Sequence, residues 1–308
     1  MNMRQALIET KNALVRPYYY MRMWEPVWRL LNRDAIRRIE RHPATVSELQ
    51  SSLITKLTRD GIVVTHLDAL FPNGGYLERF QSIARDCESR AVTNKKKTFL
   101  TQLYEYYRVI DLQDPFVRFA LSQEVLDVVN GYIGMWAKLY YYTLGVTNPV
   151  AAGEVPRQSQ RWHRDPEDRR MCKVFVYLND VDETAGPFMY VRGSTRGNRW
   201  GHLFKQRPPH GYYPAEGDVE AKVSSEDILA CTGRAGTVIF ADTSGLHKGG
   251  YATEKPRVMS TTGFVTQASP RGVFYRRGEE FLRHYSTYNP AAQFALENKK
   301  IAGRRWQY

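Results

Sequence analysis

Cysteine is scarce in this 308-residue chain: Cys87, Cys172 and Cys231 are scattered and odd in number. That argues against a disulfide framework and fits a reducing compartment. Long apolar runs are also missing. No segment is long and apolar enough to span a bilayer, and the N-terminus lacks the continuous apolar stretch of a secretion signal. The expected location is therefore cytoplasmic. There is no internal repeat, no low-complexity tract, no zinc-finger spacing and no RNA-recognition signature, so nucleic acid is not an expected partner.

Aromatic residues are plentiful, with 20 Tyr, 13 Phe and 6 Trp, enough for a core and a lined pocket. The formal charge of +12 attracts anions non-specifically. Phosphorylated or CoA-linked substrates, acidic carrier proteins and anionic lipid are the candidates. The basic clusters at Lys95–Lys97, Arg169-Arg170, Arg276-Arg277, Lys299-Lys300 and Arg304-Arg305 are short and read as solvated surface.

Residues 1–44 are basic and aromatic. From Pro26 onward, Val27, Leu31, Ala35 and Ile39 fall four apart, with Arg29, Arg33 and Arg37 on other faces. The pattern predicts an amphipathic helix that packs on the outside of the core, or touches a membrane surface. Thr45-Val-Ser-Glu48 reads as a capping box opening a helix that Asp60-Gly61 closes. Ile62-Val-Val64 is a strand, residues 76–90 are helical, and Asp114-Pro115 starts a helix running through Phe119 and Val129. After residue 135 the texture turns to strands: Lys138–Val146, Met171–Leu178, Phe188–Val191, Gly236–Asp242 and Arg257–Val265. Between them, residues 194–235 are polar and turn-rich, an insert or lid. The tail from 279 to 308 looks helical. Several short strands preceded by helices fit a mainly β protein with flanking helices, a double-sheet barrel in one domain spanning 45–308.

Two segments far apart carry the chemistry. The first is Trp162-His163-Arg164-Asp165. The second is Gly236–Asp242 followed by Leu246-His247, with Arg257 ten residues further on. On extended chain, His163 and Asp165 point to the same side. His163, Asp165 and His247 would give a metal two imidazoles and one carboxylate, leaving open positions that suit non-haem Fe(II). The planar fork of Arg257 suits a cosubstrate with a carboxylate tail. The other histidines, His42, His66, His202, His210 and His284, lack this context and read as surface or structural.

With these segments the sequence resembles the phytanoyl-CoA dioxygenase superfamily of Fe(II)- and 2-oxoglutarate-dependent oxygenases. The resemblance covers roughly residues 45–265. It also takes in Gly61-Ile-Val-Val, Val176–Asp180, Ala185-Gly-Pro187 and Val191–Ser194. It implies a double-stranded β-helix (jelly-roll, cupin-like) core. Fe(II) would be held by His163, Asp165 and His247, and 2-oxoglutarate by Arg257. O2 would be the other cosubstrate, and hydroxylation of an unactivated C–H the default outcome. The substrate would be small or carrier-linked. Relatives that halogenate have a small residue in place of the carboxylate, so Asp165 implies a non-halogenase.

Two departures from the family pattern stand out. The hydroxyl often found two residues after the distal histidine is replaced by Gly249, and Asn148 and Gln160 are candidates to substitute for it. Arg164 stands where Gln is usual, which suggests either an anionic substrate or a salt bridge to Glu167 or Asp168. The same site could also support desaturation, cyclisation or epimerisation. Two readings differ in kind: a membrane-associated modifier of lipid- or glycan-linked substrates, and a non-catalytic jelly-roll binding protein.

Overall fold

The computed structural model describes residues 3–88, 92–93, 99–151 and 153–297. The Lys95–Lys97 cluster and the tail beyond 297 lie outside these.

Three helices come first: α1 (Met3–Met23), α2 (Glu25–Leu31) and α3 (Arg33–Arg41). The single helix expected after Pro26 is therefore two. The break falls at Asn32, whose fully buried amide donates to Thr266 Oγ1 (3.1 Å) and accepts from Ala268 N–H (2.9 Å). Those partners pull the side chain into the body of the protein, and the chain turns there. Buried Trp28 and Ala35 join the main core, while Tyr20, Met21, Trp24 and Leu30 stay exposed. Among the described residues no helix is long and apolar enough to cross a membrane.

Helix α4 (Glu48–Asp60) is capped by Ser47, not Thr45. Ser47 Oγ accepts from Gln50 N–H and the Gln50 side chain accepts from Ser47 N–H, so the capping box lies two residues later than expected. Ser47-x-x-Gln50 fits the same signature, and Glu48 is then free to occupy the first turn. Gly61 ends the helix at φ +78°. A side chain there would be strained, and its Cβ would lie 2.4 Å from the Tyr190 hydroxyl. Strand β1 (Ile62–His66), α5 (Leu67–Leu70) and α6 (Tyr76–Glu88) follow. The helix expected from Asp114 is also divided, into α7 (Pro115–Ala120) and α8 (Gln123–Ile133), because Ser122 provides a second N-cap.

The remaining strands are β2 (Val92–Thr93), β3 (Leu100–Gln102), β4 (Val109–Ile110), β5 (Lys138–Thr147), β6 (Cys172–Tyr177), β7 (Phe188–Val191), β8 (Ile228–Cys231), β9 (Thr237–Ala241), β10 (His247–Lys248), β11 (Arg257–Val265) and β12 (Arg276–Arg277). The chain closes with α9 (Phe281–Tyr285) and α10 (Pro290–Leu296). A seven-stranded sheet runs β1-β9-β6-β11-β5-β3-β2, and a three-stranded sheet runs β10-β7-β8, all antiparallel. This is the jelly-roll core with flanking helices that the resemblance implies.

Strand alternation separates the two cores. In β6 and β9, Val174, Val176, Val238 and Phe240 face the helices, while Phe175, Tyr177, Ile239 and Ala241 meet Phe188 and Tyr190 of the smaller sheet. Residues between the sheets therefore come from every second position, and the site draws on that set.

Candidate active site

Each imidazole is placed by backbone pairing. His163 and His247 form an isolated antiparallel bridge, exchanging N–H···O bonds of 2.9 and 3.0 Å. Their rings lie 4.2 Å apart between centroids. Asp165 is fixed by its own N–H on Thr243 O, 2.8 Å away. All three residues are buried, and one ligand atom from each lies within 4.8 Å of the others.

The tautomers suit a metal. His163 Nδ1 faces Arg161 O at 2.8 Å and His247 Nδ1 faces Gly245 O at 3.0 Å, which puts the protons on Nδ1 and leaves both Nε2 lone pairs available. Burial and neighbouring His163 push the His247 pKa down to about 3 against the pull of Asp165, so this ring is neutral as a ligand should be. Burial would raise the Asp165 carboxyl, yet Lys173, His247 and His163 hold it far below the usual carboxylate range. Lys173 Nζ donates to Asp165 Oδ2 at 2.5 Å.

Arg164, on the opposite side of the extended segment, is spent on structure. Its guanidinium donates to Ser194 O (2.6 Å), Ser244 O (2.8 Å), Leu203 O (2.9 Å) and Trp200 O (3.3 Å). Burial lowers its pKa to about 10. Both expectations for Arg164 are thus corrected: it neither faces a substrate nor pairs with Glu167 or Asp168. The Asp168 carboxylate instead accepts from Trp28 Nε1 (3.0 Å) and from Thr266 N–H and Oγ1 (2.7 and 2.8 Å), fastening α2 beneath the site.

A cavity of about 490 Å³ runs from the triad to Arg257. Arg257 begins β11 opposite Thr147, the last residue of β5. Its guanidinium is buried, donating to Gly186 O and to Thr147 Oγ1 (3.2 Å), and its Nε has no partner. Among the described residues no carboxylate lies within ion-pair distance of it, although burial opposes its charge. A buried cation without a counter-charge is costly, and its surroundings fit an anionic ligand. Gly249 N–H donates to Ser159 O (2.7 Å), and a Cβ built on Gly249 would lie 4.0 Å from Arg257 Nη2. The family's hydroxyl is therefore absent beside the arginine, and the hydroxyl of Thr147 is there instead. Of the two proposed substitutes, Gln160 lines the cavity with its Nε2 buried and unpartnered. Asn148 is not brought to the wall; its amide donates to Thr101 Oγ1 at 2.8 Å.

Sequence reasoning missed several lining residues: Lys173, Glu167, Thr147, Thr261 and Phe274. Lys173 had a signal, being a cation in phase with Phe175 and Tyr177, the inward positions of β6. The tyrosine-rich β5 contributes both Tyr140 and Tyr141. Pairing with β11 passes from Tyr141↔Gly263 to Leu139↔Phe264, leaving Tyr140 as a bulge that turns it to the cavity side. Gly263 makes room, since a Cβ there would lie 2.5 Å from the Tyr141 ring. Burial, reinforced by Asp165, raises the Glu167 pKa to about 7.

Residues 194–235 cover the metal segment. Trp162 Nε1 donates to Glu220 Oε1 (2.6 Å), Gln206 Nε2 to Asp165 O (2.6 Å), and Tyr213 stacks on His163 at 5.3 Å. Val219, Val223 and Leu203 pack with Trp162 and Leu246 in a small core of their own. Strand β8, inside this stretch, was not anticipated.

A jelly-roll core with two His and one Asp gathered between its sheets defines a non-haem iron oxygenase architecture. Residues 76–259 match the profile of the family described as Phytanoyl-CoA dioxygenase (PhyH). The match spans more than half of the chain, which belongs to this family of Fe(II)- and 2-oxoglutarate-dependent oxygenases. No curated protein is similar enough to count as a match. Among solved structures, the epimerase SnoN in complex with Fe3+, alpha ketoglutarate and nogalamycin RO is similar at 15% identity and TM-score 0.52, covering 71% of this chain and 84% of that one. EctD from S. alaskensis with bound Fe is similar at 19% identity and TM-score 0.52, covering 84% and 88%. At these identities the likeness is one of fold.

Proposed function

We propose that this oxygenase hydroxylates an unactivated C–H of a small molecule or of the exposed end of a carrier-linked one. The observation that carries the reading is a single cavity holding the His163–Asp165–His247 triad and the buried, carboxylate-free Arg257. The triad would hold Fe(II), and Arg257 the distal carboxylate of 2-oxoglutarate, with Thr147 and Gln160 supplying further polar contacts. Bound iron supplies the oxidation that couples decarboxylation of 2-oxoglutarate, giving succinate and CO2, to insertion of oxygen from O2. The protein positions and shields: Phe175 and Phe188 line the cavity beside the triad, and residues 194–235 cover the metal segment.

The Asp165 carboxylate argues against halogenation. Desaturation, cyclisation and epimerisation would use the same triad, and hydroxylation is preferred as the outcome needing no further group. The three cysteines are free, which supports a cytoplasmic site of action. Exposed Tyr20, Met21, Trp24 and Leu30 favour one second reading, peripheral contact of the N-terminal helices with a membrane. Equal co-sedimentation with liposomes of the full chain and of a chain starting at Thr45 would remove it.

The decisive experiment follows succinate formation from 2-oxoglutarate with Fe(II), ascorbate and O2 in wild type and His163→Ala. Turnover lost in the variant supports the reading. Absence of both turnover and a 2-oxoglutarate-dependent Fe(II) charge-transfer band in wild type rejects it in favour of a non-catalytic jelly roll.

A further inference from the structure

Of the charged side chains lining the cavity, Lys173 is engaged by Asp165, and Arg257 lies in separate surroundings, with Tyr177 and Cys231 as its electrostatic neighbours. Glu167 is different. Its Oε2 is buried and has no hydrogen-bond partner. Lys173 and Arg271 are its nearest cations, and among the described residues neither comes within ion-pair distance of it.

Four rings line the same cavity as this carboxylate and form a closed cycle. Tyr140 lies 5.2 Å from Tyr141 and 5.0 Å from Phe274, and Tyr106 lies 6.3 Å from Tyr141 and 6.0 Å from Phe274. Tyr106, Tyr140 and Tyr141 all lie within electrostatic range of Glu167. Tyr106 is 46% exposed and marks the cavity mouth.

We infer that Glu167 and this ring cycle are the specificity-determining end of the cavity, and that they select a substrate bearing an ammonium or amidinium group. A buried acceptor without a donor is costly to leave unsatisfied. A ligand N–H⁺ satisfies it, and the rings attract the same charge, as the Lys173 ammonium 5.7 Å from the Tyr141 ring centroid already shows. A hydroxyl could bond Glu167 but gains nothing from the rings, and a carboxylate is repelled. Arg164, whose place between the two metal ligands suggested an anionic substrate, is turned away from the cavity. The inference rests on the oxygenase reading only for what happens to the bound molecule; recognition of the cation stands without turnover.

The test uses the full chain loaded with Mn(II) and 2-oxoglutarate at about pH 8.5, where Glu167 is ionised and benzylammonium still carries its proton, titrated with benzylammonium, benzyl alcohol and benzoate by ligand-observed NMR. Wild type should prefer benzylammonium over the alcohol by at least about tenfold, with benzoate weakest. Glu167→Gln should bring ammonium and alcohol to within about twofold while leaving 2-oxoglutarate affinity unchanged and the thermal midpoint no lower. Tyr140→Leu, with Glu167 intact, should weaken the ammonium more than the alcohol. No preference in wild type, or a preference that survives Glu167→Gln, overturns the inference. Loss of the Fe(II) charge-transfer band would instead remove the oxygenase reading and leave the binding result standing.

Discussion

His163 and His247 are each other's backbone partners, joined by two hydrogen bonds of 2.9 and 3.0 Å. The bridge that closes this end of the barrel is thus also what sets the two imidazoles side by side. Asp165 then enters the same space by strand parity.

Lys173 stands in for part of the metal's charge. Lys173→Met should destabilise the metal-free protein by about 3–5 kcal/mol, because Asp165 is left buried and unpaired. Mn(II) supplies a cation at the same carboxylate, so the deficit should shrink when it is added. Thermal melts of wild type and variant with and without Mn(II) measure this, and an equal deficit in both conditions contradicts it.

Arg257→Gln should raise the apparent Kd for 2-oxoglutarate by about 30- to 1000-fold, equivalent to roughly 2–4 kcal/mol for a truncated buried charge pair. Mn(II) affinity measured without cosubstrate should stay within about twofold of wild type, since Arg257 holds none of the triad. Calorimetric titration of each ligand separates the two.

Arg164→Lys should cost stability rather than specificity. A single ammonium cannot reach four carbonyls that a planar fork serves together, so a loss of about 1–3 kcal/mol is expected in urea unfolding. The preference among charged and neutral probes should be that of wild type.

Lys138 predicts a pH signature. Its ammonium is buried, donating to Phe294 O (2.6 Å) and paired with Glu297 (3.3 Å), and burial pulls its pKa down to about 8. The unfolded chain keeps this proton until about pH 10.4, so between pH 8 and 10 it binds more protons than the folded chain. The Lys138 contribution therefore becomes more favourable as pH rises through that window. Wild type should gain roughly 1–3 kcal/mol relative to Lys138→Met across it. Tyrosine ionisation is common to both proteins and cancels in the difference.

Local signals were enough for much of the chain. Strand parity placed His163 with Asp165 and sent Arg164 the other way, although where that guanidinium ended lay beyond its reach. Runs such as Cys172–Tyr177 and Arg257–Val265 are strands because β-branched and aromatic residues fit a pleated surface. Gly61 ended its helix because few other residues tolerate the left-handed turn. These are short-range preferences, carried by neighbours within a few positions.

What only the tertiary structure decided depends on partners distant in sequence. Asn32 breaks the N-terminal helix because Thr266 and Ala268 wait for its amide. Tyr140 faces the cavity because a bulge against β11 shifts its parity, a shift that pairing reveals and composition does not. Arg164 satisfies four carbonyls from two separate loops, so its charge never reaches the cavity. Glu167 reads in sequence as a possible partner for Arg164, and its significance lies in the donor that its Oε2 lacks. Residue type and spacing determined which chemistry this chain can do. Long-range packing decided which charges remain free to choose what it is done to.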